Sequence, residues 1–398
     1  EVGRGVADAD YVVGVVFRRL GQPVVLGYLL AGALVGPYIP VPLFADPRRV
    51  EALAEFGVVL VMLSIGLEFS ARRLTEVLPR VGIPAMIQMS TLAWLGFLLG
   101  RLVGWGQIES VFLGACLAIS STMVVAQTLR EVPQPESVRE LAVGVLVAQD
   151  LVAIMAIAAL TAVVADAPGT DEGVLTSTAG QLVLFLLAML VVGLLLVPRA
   201  IRLLTRLASA EMLVVAVAAI AFGLAIVANE MGYSVALGAF LAGALIAESG
   251  EGHRIASLVA PIRDLFAAVF FVAIGMSVDP AVALEVAPLG LVVAAIIVLG
   301  QLASVGFGGI LAGRGLVTSF GAGAALGQVG EFSFIIAAVG VGSGAVRPEL
   351  ASVVVLAALL TAFSTPLVLR RAGALASALD RRLPARVRRL LTLYPSWL

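Results

Sequence analysis

The chain has 398 residues, 61% of them hydrophobic and only 13% charged, with a formal net charge of −1. A soluble domain carries about a quarter of its residues charged, so this is a polytopic membrane protein whose length counts spans, and its charge implies no nucleic-acid partner. One cysteine (Cys116, in an apolar run) and one histidine (His253, expected in a loop) exclude a disulfide framework, a cysteine metal site and HExxH chemistry.

The start is polar. Residues 1–11 cannot span, and only Val12–Phe17 is apolar before Arg18 and Arg19, so the first span is expected to lack its N-terminal end or to be amphipathic. Membrane-length apolar runs then follow, separated by Arg, Asp, Glu and Pro, at 4–20 (the weakest), 23–40, 50–69, 80–103, 108–130, 137–165, 179–205, 211–229, 233–249, 260–278, 286–312, 315–341 and 349–371. That makes thirteen spans in an all-α chain. The basic residues test the count, since all 25 are Arg. With the N-terminus outside and the C-terminus cytoplasmic, only Arg4, Arg48, Arg49, Arg101 and Arg347 fall on the outer side, the asymmetry of the positive-inside rule. The 42 glycines suit tightly packed membrane helices.

Span 6 carries Gln149 and Asp150 near its middle, within LAVGVLVAQDLVAIMAIAALTAVVA. A carboxylate at mid-membrane costs roughly 2.5–3.5 kcal/mol on insertion scales, which nothing in a helix bundle requires. It is either a protonated, hydrogen-bonded brace or an ion and proton site, and the second reading is preferred. The two residues stand about 100° apart on a helix, so only one need face a cavity; that role falls to Asp150.

The chain also repeats. PVVLGYLLAGALVGP (23–37) returns as SVALGAFLAGALIAE (234–248), GVVLVMLSIGLEFS (57–70) as AAVFFVAIGMSVDP (267–280), and FLGACLAISSTMVV (112–125), more weakly, around GAGAALGQVGEF (321–332). The related spans lie seven apart, and an odd separation makes the copies cross in opposite directions. Inverted repeats (about 4–165 and 211–371, joined by a linker helix at 179–205) around a midplane site are a secondary-transporter architecture. The breaks are sought in the third pair. Span 5 has Ser120, Ser121 and Thr122 in succession; span 12 has Gly327, Gln328, Gly330 and Glu331 at the equivalent depth. Unwinding there would free carbonyls for a cation and supply half-helix dipoles. The plainer alternative is that the hydroxyls bond back to their own helix and the glycines merely allow close packing.

The expected constellation is therefore Asp150 with Gln149, Ser120, Ser121 and Thr122, supported by Gln328 and Glu331. These are hard oxygen ligands for a hard monovalent cation. A buried carboxylate can hold a proton or a metal cation near neutral pH, but not both at once, and that exclusion suffices for exchange. Glu331 is a ligand or, preferably, a brace for its break. Glu68, Arg263 and Asp264 are interface or gate elements, or simply solvated helix ends. A channel would need a continuous polar pore, an aspartyl protease a second facing Asp, and a receptor would leave Asp150 without purpose.

VLVAQDLVAI, with LGYLLAGALVGP, SIGLE, AISSTMV, PIRDLFAAVFFVAIGM and QVGEFSFI, resembles the cation:proton antiporter-2 family, most closely its Kef-type potassium/proton branch. The resemblance covers nearly the whole chain. It implies a thirteen-span NhaA-like antiporter fold, usually a homodimer, in a bacterial inner or plasma membrane. Spans 1–3 and 8–10 would form the dimer domain, and spans 4–6 and 11–13 a moving core in which the broken helices cross. It implies that Asp150 carries cation or proton, and that Gln149, where electrogenic sodium antiporters have a second Asp, goes with electroneutral exchange and potassium; sodium/proton exchange on the same fold is the alternative. No cofactor is implied beyond the transported K⁺ or Na⁺ and H⁺. The chain departs from the pattern twice. Gln301 stands in span 11 where relatives often have Lys. A basic cytoplasmic tail (372–398) stands where Kef-type transporters continue into a nucleotide-binding regulatory domain, expected elsewhere as a domain or subunit; the tail itself reads as a solvated or lipid-surface helix.

Overall fold

Apolar stretches of this length fold as helices because in hydrocarbon each backbone N–H and C=O must be satisfied within its own segment. The computed structural model describes residues 24–38, 47–68, 71–165, 189, 191–206, 209–231, 235–276 and 278–382, and no strand occurs among them. Six helical stretches, Val81–Leu102, Glu136–Thr161, Ala210–Glu230, Val235–Met276, Ala287–Leu311 and Glu349–Ala378, are long and apolar enough to cross a membrane by length and composition. The first predicted span, the start of the seventh and the tail past residue 382 lie outside the described residues.

The chain divides into two compact units. The first takes in Tyr28–Arg73 and Ile154–Ser277. Its helices are α1 (Val24–Val35, most of which belongs here), α2 (Pro47–Glu68), α7 (191–206), α8 (Ala210–Glu230), α9 (Val235–Ile246) and α10 (Gly252–Met276). α2 packs on both α9 and α10. Glycine makes two of these contacts possible: a Cβ on Gly66 would fall inside the Phe240 carbonyl, and one on Gly32 inside that of Val272. Gly243 and Gly275 return the contact against Leu63 and Leu29, so two pairs of helices meet backbone to backbone.

The second unit takes in Leu74–Ala153 and the chain from Val278 onwards. It gathers α3 (Ala71–Leu102), α4 (Gln107–Leu117), α5 (Thr122–Glu131), α6 (Glu136–Ala165, as far as Ala153), the short α11 (Pro280–Glu285), α12 (Ala287–Leu311), α13 (Leu316–Ala325), α14 (Glu331–Gly342) and α15 (Glu349–Arg382). α12, α13 and α15 pack on one another, and α4 packs along α14. A core of Val81, Val125, Leu141, Val145, Val305, Ala322, Leu326 and Leu369 sits between them. Predicted spans 5 and 12 are each two half-helices.

Two sequence readings are corrected. His253 lies in α10 and not in a loop, because a five-residue π-helical kink at Ala247–Glu251, with Gly250 at φ +84°, joins α9 to α10 directly. Arg263 and Asp264 therefore fall well inside a helix instead of opening one. A charge can stay there because Arg263 Nη1 donates to Ser64 Oγ at 2.8 Å and Nη2 pairs with Asp264 at 2.7 Å. Past the predicted span α15 continues to Arg382, eleven residues further, so the first part of the basic tail is helical. At 1.5 Å per residue α15 is about 50 Å long, more than a hydrocarbon core of roughly 30 Å.

Candidate functional site

α4 ends at Leu117 and α5 starts at Thr122, leaving Ala118–Ser121 between them. Successive hydroxyls offer the backbone an alternative to the helix ladder. Ser121 takes it: it is extended (φ −82°, ψ 120°) and its Oγ accepts from Val124 N at 3.2 Å, the N-cap of α5. The second break, Leu326–Gly330, separates α13 from α14, with Gly330 (φ −84°, ψ 160°) at the N-cap position. The two breaks touch. Gly330 N donates to Ile119 O at 2.9 Å, and a Cβ on Gly330 would lie 2.8 Å from Ser120 O. Only glycine fits so close a crossing. Beyond it α4 is stitched to α14 by Ser333 Oγ, which donates to Cys116 O at 2.6 Å, and to the loop after α14 by Arg347, which pairs with Glu109 at 2.9 Å.

Breaking a helix in an apolar medium strands backbone groups, and each needs a partner. Both breaks are served in one pattern. In the first, Ala118 O accepts from Gln88 Nε2 at 2.9 Å, and Ser120 N donates to Gln149 Oε1 at 3.1 Å. In the second, Gly327 O accepts from Thr365 Oγ1 at 3.1 Å, and Val329 N donates to Thr361 Oγ1 at 3.3 Å. The carbonyl is the fourth residue and the N–H the second before the first residue of the next half-helix, Thr122 or Glu331. The first break is further tied by Gln149 Nε2, which donates to Gln88 Oε1 at 2.7 Å. Ser120 joins the two breaks: its Oγ donates to Leu326 O and accepts from Gln301 Nε2, both at 2.9 Å.

Asp150 stands at the end of this network. Thr122 Oγ1 donates to Asp150 Oδ2 at 3.3 Å, and Thr122 is the first residue of α5, whose N-terminus carries a positive partial charge. Asp150 is partly exposed, whereas Gln149 is fully buried. Neighbours on one helix thus stand in different surroundings, Gln149 bracing the break and Asp150 placing a carboxyl group opposite a helix end. Glu331 is the first residue of α14, so each half-helix N-terminus at the crossing has a carboxylate of its own. The carbonyl ends are occupied: Ala118 O by Gln88, Leu326 O by Ser120 Oγ and by Gln328 N at 2.8 Å.

Of the residues singled out in the sequence, hydrogen bonds link Asp150 to Thr122, and Gln149 to Ser120 and Ser120 to Gln301. Gln328, Gly327 and Gly330 lie in the second break, and the Ser121 hydroxyl is engaged in capping. Glu68 is the last residue of α2, in the other unit, and its side chain lies outside the described residues. Gln88, Thr361 and Thr365 were not foreseen. Gln88 is the one amide between Arg80 and Arg101, and Thr361 and Thr365 share a face at four-residue spacing in an apolar helix.

The family described as sodium/hydrogen exchanger, transmembrane, matches residues 11–372. The chain is 35% identical over 339 residues to cation/proton antiporter YbaL of Escherichia coli, covering 83% of this chain and 60% of that one. It is 34% identical over 333 residues to K(+) efflux antiporter 5 of Arabidopsis thaliana (81% and 57%), and 31% over 358 residues to the glutathione-regulated potassium-efflux system protein KefC of Escherichia coli (88% and 57%). It therefore spans less than two thirds of these relatives' length. Among solved structures, the sodium proton antiporter MjNhaP1 of Methanocaldococcus jannaschii aligns with a TM-score of 0.70 at 16% identity, over 94% of this chain and 97% of that one. The fold is the same, an NhaA-like antiporter fold.

Proposed function

The chain belongs to the sodium/hydrogen exchanger transmembrane family, a family of multi-pass membrane transporters, and on that premise we propose that it is an electroneutral monovalent cation/proton antiporter that takes potassium in preference to sodium. The observation that carries the proposal is the carboxylate of Asp150 set against the N-terminus of α5 at the crossing of two broken helices, with Glu331 heading α14 as the brace of the second break. Its neighbour Gln149 is neutral and already bonded on both sides, so one charge is available for one ion.

The mechanism follows from that charge. With a proton on Asp150 the site is neutral; with a monovalent cation on the carboxylate it is neutral again. Thr122 Oγ1 orients the Oδ2 atom, and the N-terminus of α5 turns its positive partial charge towards the carboxyl group. The ionised, empty form carries an uncompensated charge, which keeps the site from crossing unloaded. The second unit, which holds both breaks, is the moving core of an elevator-like cycle, and the first unit is the seat of a homodimer. Spans 4–165 and 211–371 act as inverted repeats, and the matching service of the two breaks supports this. The N-terminus lies outside and the C-terminus in the cytoplasm, where a regulatory nucleotide-binding domain or subunit acts on the core. The potassium preference is favoured by the names of the relatives, two of which are potassium-efflux antiporters.

The test is exchange in proteoliposomes. K⁺ and Rb⁺ gradients are expected to drive proton movement more strongly than Na⁺, and Asp150→Asn to abolish it. Robust exchange by that variant would sink the mechanism, and a stronger response to Na⁺ would reverse the selectivity.

A further inference from the structure

The two breaks differ in one respect that backbone satisfaction does not require. The third residue before α14 is Gln328; the third residue before α5 is Ile119. The stranded backbone groups of the second break are served by Thr361 and Thr365, so the break forms without the Gln328 side chain. Yet Gln328 is only 1% exposed, and neither its Oε1 nor its Nε2 has a hydrogen-bond partner among the described residues. Gln301, fully buried, donates through Nε2 to Ser120 Oγ and leaves its Oε1 without a partner. Interiors leave few such groups, and each one kept is destabilising unless something else completes it.

The Gln301 amide and the backbone of Gln328 belong to one neighbourhood. Gln301 bonds Ser120 Oγ, Ser120 Oγ bonds Leu326 O, and Leu326 O also accepts from Gln328 N. The chemistry of the three orphaned atoms selects the occupant. A metal cation would take the two oxygens and leave Nε2 unmet; an anion would do the reverse. Water donates twice and accepts, which matches two acceptors and one donor, and three partners is the usual number for a buried water.

We propose that Gln328 and Gln301 hold an ordered water molecule in the second break, a built-in hydration site distinct from the Asp150 carboxylate. It gives the core a neutral oxygen that can reorient as ions load, without adding a charge to a site that has one. Its role in exchange rests on the antiporter reading above; its existence does not. Ser120, which bonds Gln301, is two residues from Thr122, which bonds Asp150, so the hydration site and the charge share one extended segment.

The experiment is X-ray radiolytic hydroxyl labelling of the full chain in nanodiscs, where activated bound water oxidises the side chains beside it. Leu326 (0% exposed) and Val329 (5%) flank Gln328 and are the reporters; Leu29 and Leu141, both 0% exposed, are controls in the packed interior. Labelling of the reporters is expected severalfold faster than of the controls, falling to the control rate in Gln328→Leu. Reporters no faster than the controls in the wild-type chain would overturn the proposal even if the variant failed to fold. So would labelling unchanged in a folded Gln328→Leu with a raised melting temperature, since the amide would then be an uncompensated orphan. The readout is independent of transport: a chain that exchanges no protons yet labels rapidly would refute the antiporter reading and leave the water site standing.

Discussion

Gln88 and Gln149 form an amide pair whose worth can be measured. Replacing Gln88 with Leu keeps most of the volume but leaves Ala118 O and Gln149 Nε2 without these partners inside the protein. Each orphaned buried group costs about 1–3 kcal/mol, so with two of them the variant is expected to lose about 2–6 kcal/mol. Gln149→Leu strands Ser120 N and Gln88 Oε1, for a similar loss. The double variant strands only Ala118 O and Ser120 N, because the two amide ends that faced each other are both gone. It should therefore be about as stable as either single variant, with a coupling equal to one single-variant loss, about 2–6 kcal/mol. The assay is reversible unfolding by SDS titration in mixed micelles, read on all four corners of the cycle. Losses that simply add, within about 0.5 kcal/mol, would show that the amides act independently and would refute the bracing of the break.

Two further substitutions probe the crossing. Gly330→Ala pushes a methyl to 2.8 Å from Ser120 O and is expected to lose about 1–3 kcal/mol in the same titration, whereas Gly342→Ala, with nothing within 4 Å, should be near neutral; equal effects would count against the close crossing. Thr361→Val leaves Val329 N without the Thr361 hydroxyl and should cost about 1–3 kcal/mol, with Thr361→Ser restoring most of it; failure of Ser to rescue would mean that the methyl, not the hydroxyl, does the holding.

The breaks in spans 5 and 12 were legible because their cause is local. Three hydroxyls in a row at 120–122 compete with the helix ladder, and the Gly–Gln–Val–Gly run at 327–330 gives little reason to continue one. Side-chain service of those breaks was not legible, because it comes from residues far away in the chain: Gln88 is 30 residues from Ala118, and Thr361 is 32 from Val329. The misplaced start of span 10 has the same origin. Arg263 reads as a helix end until Ser64, 199 residues away, is seen to receive its guanidinium. The continuation of α15 past its predicted span has a different origin. RRAGALASALDRR ends the apolar run but is made of good helix formers, with arginines in the last turn where a helix C-terminus favours them. Hydropathy marks where a membrane ends, which is not where a helix must.

The identity of residue 149 follows from the polarity of its hydrogen bonds. Gln149 accepts from Ser120 N and donates to Gln88 Oε1, while Gln88 in turn donates to Ala118 O. The direction is fixed at both ends, since a backbone N–H can only donate and a backbone carbonyl only accept. A carboxylate at 149 could take the first bond but could not make the second, and it would set two acceptors 2.7 Å apart in a buried place. With Gln at 88, an acidic residue at 149 would therefore have to be protonated or the pair would have to separate. The break in span 5 and the charge count of the site are thus not independent choices: the amides that hold the helix open are the reason that Asp150 stands as the sole charge beside them on α6.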